Sequence, residues 1–134
     1  MSTEICITIT GIRKPGLNEA DFHEYITQHH APLALPFLHK YGIKEYNLID
    51  NFSSCQPYAE ELQMSKKIAD YDYVVQFVMA DIHDFKRLWE DEEFRKNVKP
   101  DHRHFADETR SGISIGYRTR FIAPESNELG QLKN

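Results

Sequence analysis

Only two cysteines, Cys6 and Cys55, stand among the 134 residues. Their separation matches no metal motif, and one pair could close at most one bridge, so both are expected as reduced thiols. No apolar run approaches the ~20 residues that a bilayer-spanning helix needs. The opening MSTEICITITG lacks the basic n-region and the long apolar stretch of a secretory signal. A cytoplasmic chain with no membrane partner is therefore expected. Positive charge is also short: 16 Lys and Arg against 21 Asp and Glu leave a net charge of -5. The cations form no stripe, which argues against nucleic acid as a partner. There is no serine or cysteine elbow, no glycine-rich phosphate loop and no nucleotide fingerprint. Any chemistry is then expected to be acid–base chemistry, with no metal and no organic cofactor, on a substrate that supplies its own electrons.

What is present suits one globular domain. With 40% hydrophobic residues, a chain of this length can bury a core without disulfide or metal staples. Aromatic residues reach 12%, a surplus that fits a core, a pocket for a flat ligand or a dimer interface. The segment 4–13, EICITITGIR, alternates as a strand with one apolar face. KPG at 14–16 turns the chain, and Asn18 caps a helix whose Phe22, Tyr25, Ile26 and His29 share a face. Pro32 predicts a break after Ala31 and a new helix, bent at Pro36, that stops at Gly42. A second strand is predicted over 43–50, a polar excursion over 51–70 and a third strand over 71–79. Asp81 caps a helix with Ile82, Phe85 and Trp89 on its buried face. Further helical turns follow at 91–98 and a fourth strand at 112–122. The domain is expected to cover 1–123, with a polar tail at 124–134.

This order belongs to the α+β class. It predicts the ferredoxin-like split βαβ plan, a four-stranded antiparallel sheet with helices on one face. The third strand carries Val75, Phe77 and Met79 on one side and Val74 and Val78 on the other, so both of its faces read as buried. No helix is left over for the second face, and a sheet-to-sheet homodimer is expected to cover it.

Seven histidines are the candidate chemistry. His23, His39 and His83 sit on helix positions that face solvent. His29 and His30 end the first helix, where the dipole favours a cationic imidazole. The functional reading is that His29 continues the buried face while His30 points about 100° away, so that one packs and the other meets a cavity. The segment 99–111, KPDHRHFADETRS, brings His102, His104, Phe105, Asp101 and Asp107 together. A solvated, capped loop accounts for these residues. So does the acid–base end of a pocket, with His102 moving protons and Asp101 or Asp107 orienting it. Asp107 also stands in reach of Arg110. In extended chain His102 and His104 would share a face as metal ligands, but the spacing matches no specific motif. Tyr46 offers a phenol to a carbonyl or hydroxyl.

On the opening strand with RKPGLNEADFHEYITQHHAPLALPF, on KYGIKEYNLI, on ADYDYVVQFVMADIHDFKRLWED and on KPDHRHFADETRSGISIGYRT, the chain resembles the EthD-type dimeric α+β barrel proteins. Within them it is similar to small fungal proteins encoded beside aromatic polyketide synthases. The resemblance runs from about Ile5 to Ile122. It implies a cofactor-independent lyase on an aromatic polyketide, most simply a decarboxylase of an anthrone or anthraquinone carboxylic acid, or a cyclase or dehydratase of the same fold. His102 and Asp107 match the Asp-His and Phe-Ala-Asp of the family motif, and His30 the histidine before Ala-Pro. His102, His30 and Asp107 are thus the implied catalytic residues, with Tyr46, His29, His104, Phe105 and Trp89 toward substrate. A cofactor-free anthrone oxygenase and a non-catalytic binding protein are the other readings.

Overall fold

The computed structural model describes residues 3–64 and 67–124. The tail expected at 124–134 lies, Pro124 apart, outside the described residues. Strand β1 (Glu4–Gly11) alternates as its sequence requires, with Ile7 only 1% exposed. The chain turns at Gly16, whose φ of 87° is the left-handed region that glycine tolerates best. Asn18 then caps α1 (Glu19–Tyr25), its side-chain oxygen accepting the Asp21 N–H at 2.8 Å.

The expected break before Pro32 does not occur. Helix α1 runs through a π-turn, Ile26–His30, straight into α2 (Ala31–Lys40), and Ala31 is fully helical. The wider turn bonds the Ala31 N–H to Ile26 O, five residues back. It also shifts the register by one residue. The inward positions become Phe22, Ile26 and His30, so His30 is buried and His29 exposed, the reverse of the helical-wheel expectation.

Strand β2 (Glu45–Asp50) follows, then the polar excursion, which holds a 3₁₀ turn at Ser53–Cys55 and a short α3 (Pro57–Glu61). Strand β3 (Tyr73–Met79) leads to α4 (Ile82–Glu90), capped by Asp81, and α5 (Glu92–Asn97), capped by Asp91. Leu88 is the fully buried residue of α4, while Trp89 stays 44% exposed. Residues Lys99–His104 form a 3₁₀ turn rather than an extended loop, and β4 (Gly112–Arg118) closes the sheet.

The strands are all antiparallel in the order β2-β3-β1-β4. This is the ferredoxin-like α+β plan. One core of Ile7, Leu38, Met79, Leu88 and Val98 lies between sheet and helices, and a second packs Phe22, Ile26, Tyr73 and Phe105. The outer face is more polar than the valines of β3 suggested. Val74 and Val78 are buried there, and Arg118, from edge strand β4, reaches across the central strands to Glu45 on β2 while also pairing with Glu4. On the helix-bearing face, the register puts Ile113, Ile115 and Tyr117 on the same side as Ile9, Ile7 and Ile5, yet among the described residues no helix covers them and they are exposed.

Gly11 sits opposite Tyr73, whose ring lies over it; a Cβ at Gly11 would fall 2.2 Å from that ring. Phe22 also packs against Tyr73, with ring centroids 5.0 Å apart. Gly11→Ala is expected to destabilise the protein by about 1–3 kcal/mol through this overpacking, read as a lower urea midpoint at unchanged m-value.

Candidate active site

The cavity lies between sheet and helices, where β3 and β2 turn Tyr73, Val75, Phe77 and Tyr46 toward α2, α4 and the 3₁₀ turn. Its volume is about 60 Å³. Phe85, Trp89 and Phe105 add aromatic wall. Into this apolar space come two imidazoles and two phenols, those of His30, His102, Tyr46 and Tyr73.

His30 is 4% exposed. Its Nδ1 lies 2.9 Å from Asp101 Oδ2. Asp101 is itself buried, and burial alone would raise its pKa. Hydrogen bonds from Tyr25 and His30 outweigh that and hold the carboxyl below its ordinary value. An ionised carboxylate only accepts, so Nδ1 of His30 carries the proton and Nε2 is left as the basic nitrogen. Burial, opposed by Asp101, pushes the pKa of His30 down to about 4. Asp101 is shared further. It accepts the Tyr25 hydroxyl at 2.6 Å, and His29 Nε2 approaches to 3.7 Å.

The second imidazole is set by its own turn. His102 Nδ1 faces the Lys99 carbonyl at 3.0 Å. A carbonyl only accepts, so this nitrogen is the donor and Nε2 is unprotonated in the neutral ring. The rings of His30 and His102 meet edge to face with centroids 4.7 Å apart, and Phe105 packs against both. Burial pushes the hydroxyls of Tyr46 and Tyr73 up to about 12, so both are hydrogen-bond donors at neutral pH.

The structure thus brings together His30, His102, Tyr46, Phe105 and Trp89. His29 and His104 are exposed and stand outside, their rings against Tyr25. Asp107 orients neither imidazole. Its carboxylate caps its own turn, accepting the Thr109 N–H at 3.1 Å and hydroxyl at 2.6 Å rather than pairing with Arg110. His102 and His104 do not present a shared metal face in the 3₁₀ turn, and among the described residues no group of three or more His, Cys, Asp or Glu could hold a metal ion. Tyr73 and Lys99 were missed by sequence reasoning. Alternation alone puts Tyr73 on the Val75–Phe77 side of β3; nothing local marks Lys99.

Fold and cavity define a ferredoxin-like α+β domain with an apolar acid–base pocket under its helices. The EthD domain matches residues 14–109, and the chain belongs to that family. It is 43% identical over 120 residues to a conidial pigment biosynthesis dehydratase, EthD, of Metarhizium robertsii, across 88% of this chain and 84% of that one. It is 37% identical over 121 residues to the decarboxylase claH of Passalora fulva, across 88% and 78%. An EthD-family protein of Bacillus halodurans shares the fold at a TM-score of 0.58 and 14% identity, across 87% and 99%. The chain thus stands among enzymes of the decarboxylase and dehydratase type. Among the described residues no helix is long and apolar enough to cross a membrane.

The depressed pKa of His30 makes stability depend on pH. The unfolded chain takes up this proton near 6.5 and the folded chain only near 4. Stability is therefore lost as pH falls between those values, by up to roughly 3 kcal/mol for this group. His30→Gln is expected to flatten that slope, measured as urea midpoints of wild type and variant at pH values spanning this window.

Proposed function

We propose that the protein is a cofactor-independent lyase acting on an aromatic polyketide intermediate by proton transfer. The observation that carries this is the Asp101–His30 pair, which presents a neutral imidazole to an apolar cavity facing phenolic donors. His30 removes a proton beside a ring ketone. Tyr46 and Tyr73 donate to the ketone oxygen as it becomes an enolate, where exclusion of water strengthens their hydrogen bonds. His102, in edge contact with His30, relays the proton toward a departing hydroxyl. A base that is already neutral favours dehydration, and the Metarhizium dehydratase supports that reading.

Decarboxylation is the second reading. It leads to the same enolate, and a cation beside the cavity, Lys99, favours an acidic substrate. At about 60 Å³ the cavity has room for roughly a few waters, so a ring system enters by displacing the half-exposed Trp89. The proposed assembly is a homodimer; the exposed apolar surface that a second copy would cover is Ile113, Ile115 and Tyr117 of β4, on the helix-bearing side of the sheet rather than on the outer face expected from the sequence. A monomeric mass by light scattering at micromolar protein counts against it.

Turnover of a polyketide ketone or β-keto acid, followed by product mass and by carbon dioxide release, tests the reading. His30→Ala and His102→Ala are each expected to lower kcat by ~10²–10⁴. Asp101→Asn should lower it by disturbing the tautomer of His30, and the surface change His83→Ala should have no effect. Because the base acts unprotonated, kcat/KM should hold from neutral pH downward and fall only as pH approaches about 4. Full turnover by His30→Ala would sink this assignment.

A further inference from the structure

Trp89 walls three hollows at once. It lines the cavity beside His30 and His102, a groove of about 350 Å³ bounded by Lys99, Asp107 and Glu108, and an apolar groove of about 630 Å³ along Ile113 and Ile115. Ile9 borders all three. A fused-ring ligand bound for the cavity therefore passes over Trp89 and His102.

Lys99 stands at that passage. Its Nζ lies 3.7 Å from the centre of the Trp89 ring, and its backbone carbonyl holds His102. Burial, and then the nearby Arg95, lower its pKa. Asp107 and Glu108 border the same groove, yet neither pairs with it, and among the described residues Lys99 makes no ion pair. The Asp107 carboxylate is turned to Thr109. Seated over an aromatic face and paired to no carboxylate among the described residues, this ammonium is placed to take the carboxylate of a ligand in the groove.

We propose that Lys99 is a specificity-determining residue that takes the carboxylate of the aromatic substrate, while the ring system lies along Trp89 and its ketone side enters toward His30 and His102. This rests on the polyketide reading above and adds the acid group by which the substrate is chosen. The arrangement is physically economical. The charge stays at the mouth, close to water, and only the carbon skeleton and its ketone enter the apolar cavity.

Trp89 is the single tryptophan, so its fluorescence reports binding without turnover. The full chain is titrated with 3-hydroxy-2-naphthoic acid and with 2-naphthol, which has the same rings and no carboxylate. Wild type is expected to prefer the acid. Lys99→Met should weaken binding of the acid about tenfold or more and leave that of the naphthol unchanged, while Lys99→Arg should keep most of the preference. Circular dichroism checks that both variants fold. An affinity for the acid unchanged in Lys99→Met, or an equal loss for both ligands, overturns the proposal while leaving the lyase reading to the His30 and His102 variants. Quenching by neither ligand overturns it as well. In that case continued turnover of a polyketide would show that the lyase reading survives without it.

Discussion

A buried imidazole has to be hydrogen-bonded, and the architecture of this site follows from how His30 meets that requirement. The π-turn at Ile26–His30 rotates His30 into the interior, where no water can serve its Nδ1. The partner is Asp101, 71 residues on, carried by the 3₁₀ turn after α5. Tyr25, the last residue of α1, bonds the same carboxylate and balances its negative charge with a second donor. The two segments that flank the cavity are therefore fastened to each other by one acid. Where His102, Phe105 and Lys99 stand depends on that fastening, since all three ride on or beside the 3₁₀ turn.

Burial also sorts the charges. It keeps His30 neutral and Tyr46 and Tyr73 protonated, so none of these three cavity groups carries a charge at neutral pH. The ionised groups are set behind or beside it, Asp101 on the far nitrogen of His30 and Lys99 over the outer face of Trp89. An apolar interior with its charges at the margin strengthens each hydrogen bond made inside it. On the proposed reading, losing a proton next to a ketone, expelling water and expelling carbon dioxide would all draw on this same set of groups. That is consistent with a family in which relatives named dehydratase and relatives named decarboxylase share similar sequences.

Much of this was legible in the chain. Alternation in 4–11 and 73–79 marked the central strands, and Asn18 and Asp81 announced the helix starts because their side chains cap locally. The resemblance to EthD proteins names the family, and the sequence marks His30, His102, Tyr46, Phe105 and Trp89, which the fold brings to one cavity. Other choices were not legible. An ideal helix put His29 inward, and a π-turn put His30 there instead. Asp101 and Asp107 were equal candidates as partners for an imidazole until one was buried against His30 and the other capped Thr109.

The sequence by itself determined the elements, their order and the kinds of groups available, because alternation, capping and turn chemistry act between residues a few positions apart. Tertiary structure alone decided which histidine is inside, which carboxylate orients it and how Arg118 spans the sheet to Glu45. Each of those outcomes turns on a one-residue change of helical register or on a contact across the sheet. Residues far apart in the chain settle such matters only once they are packed together.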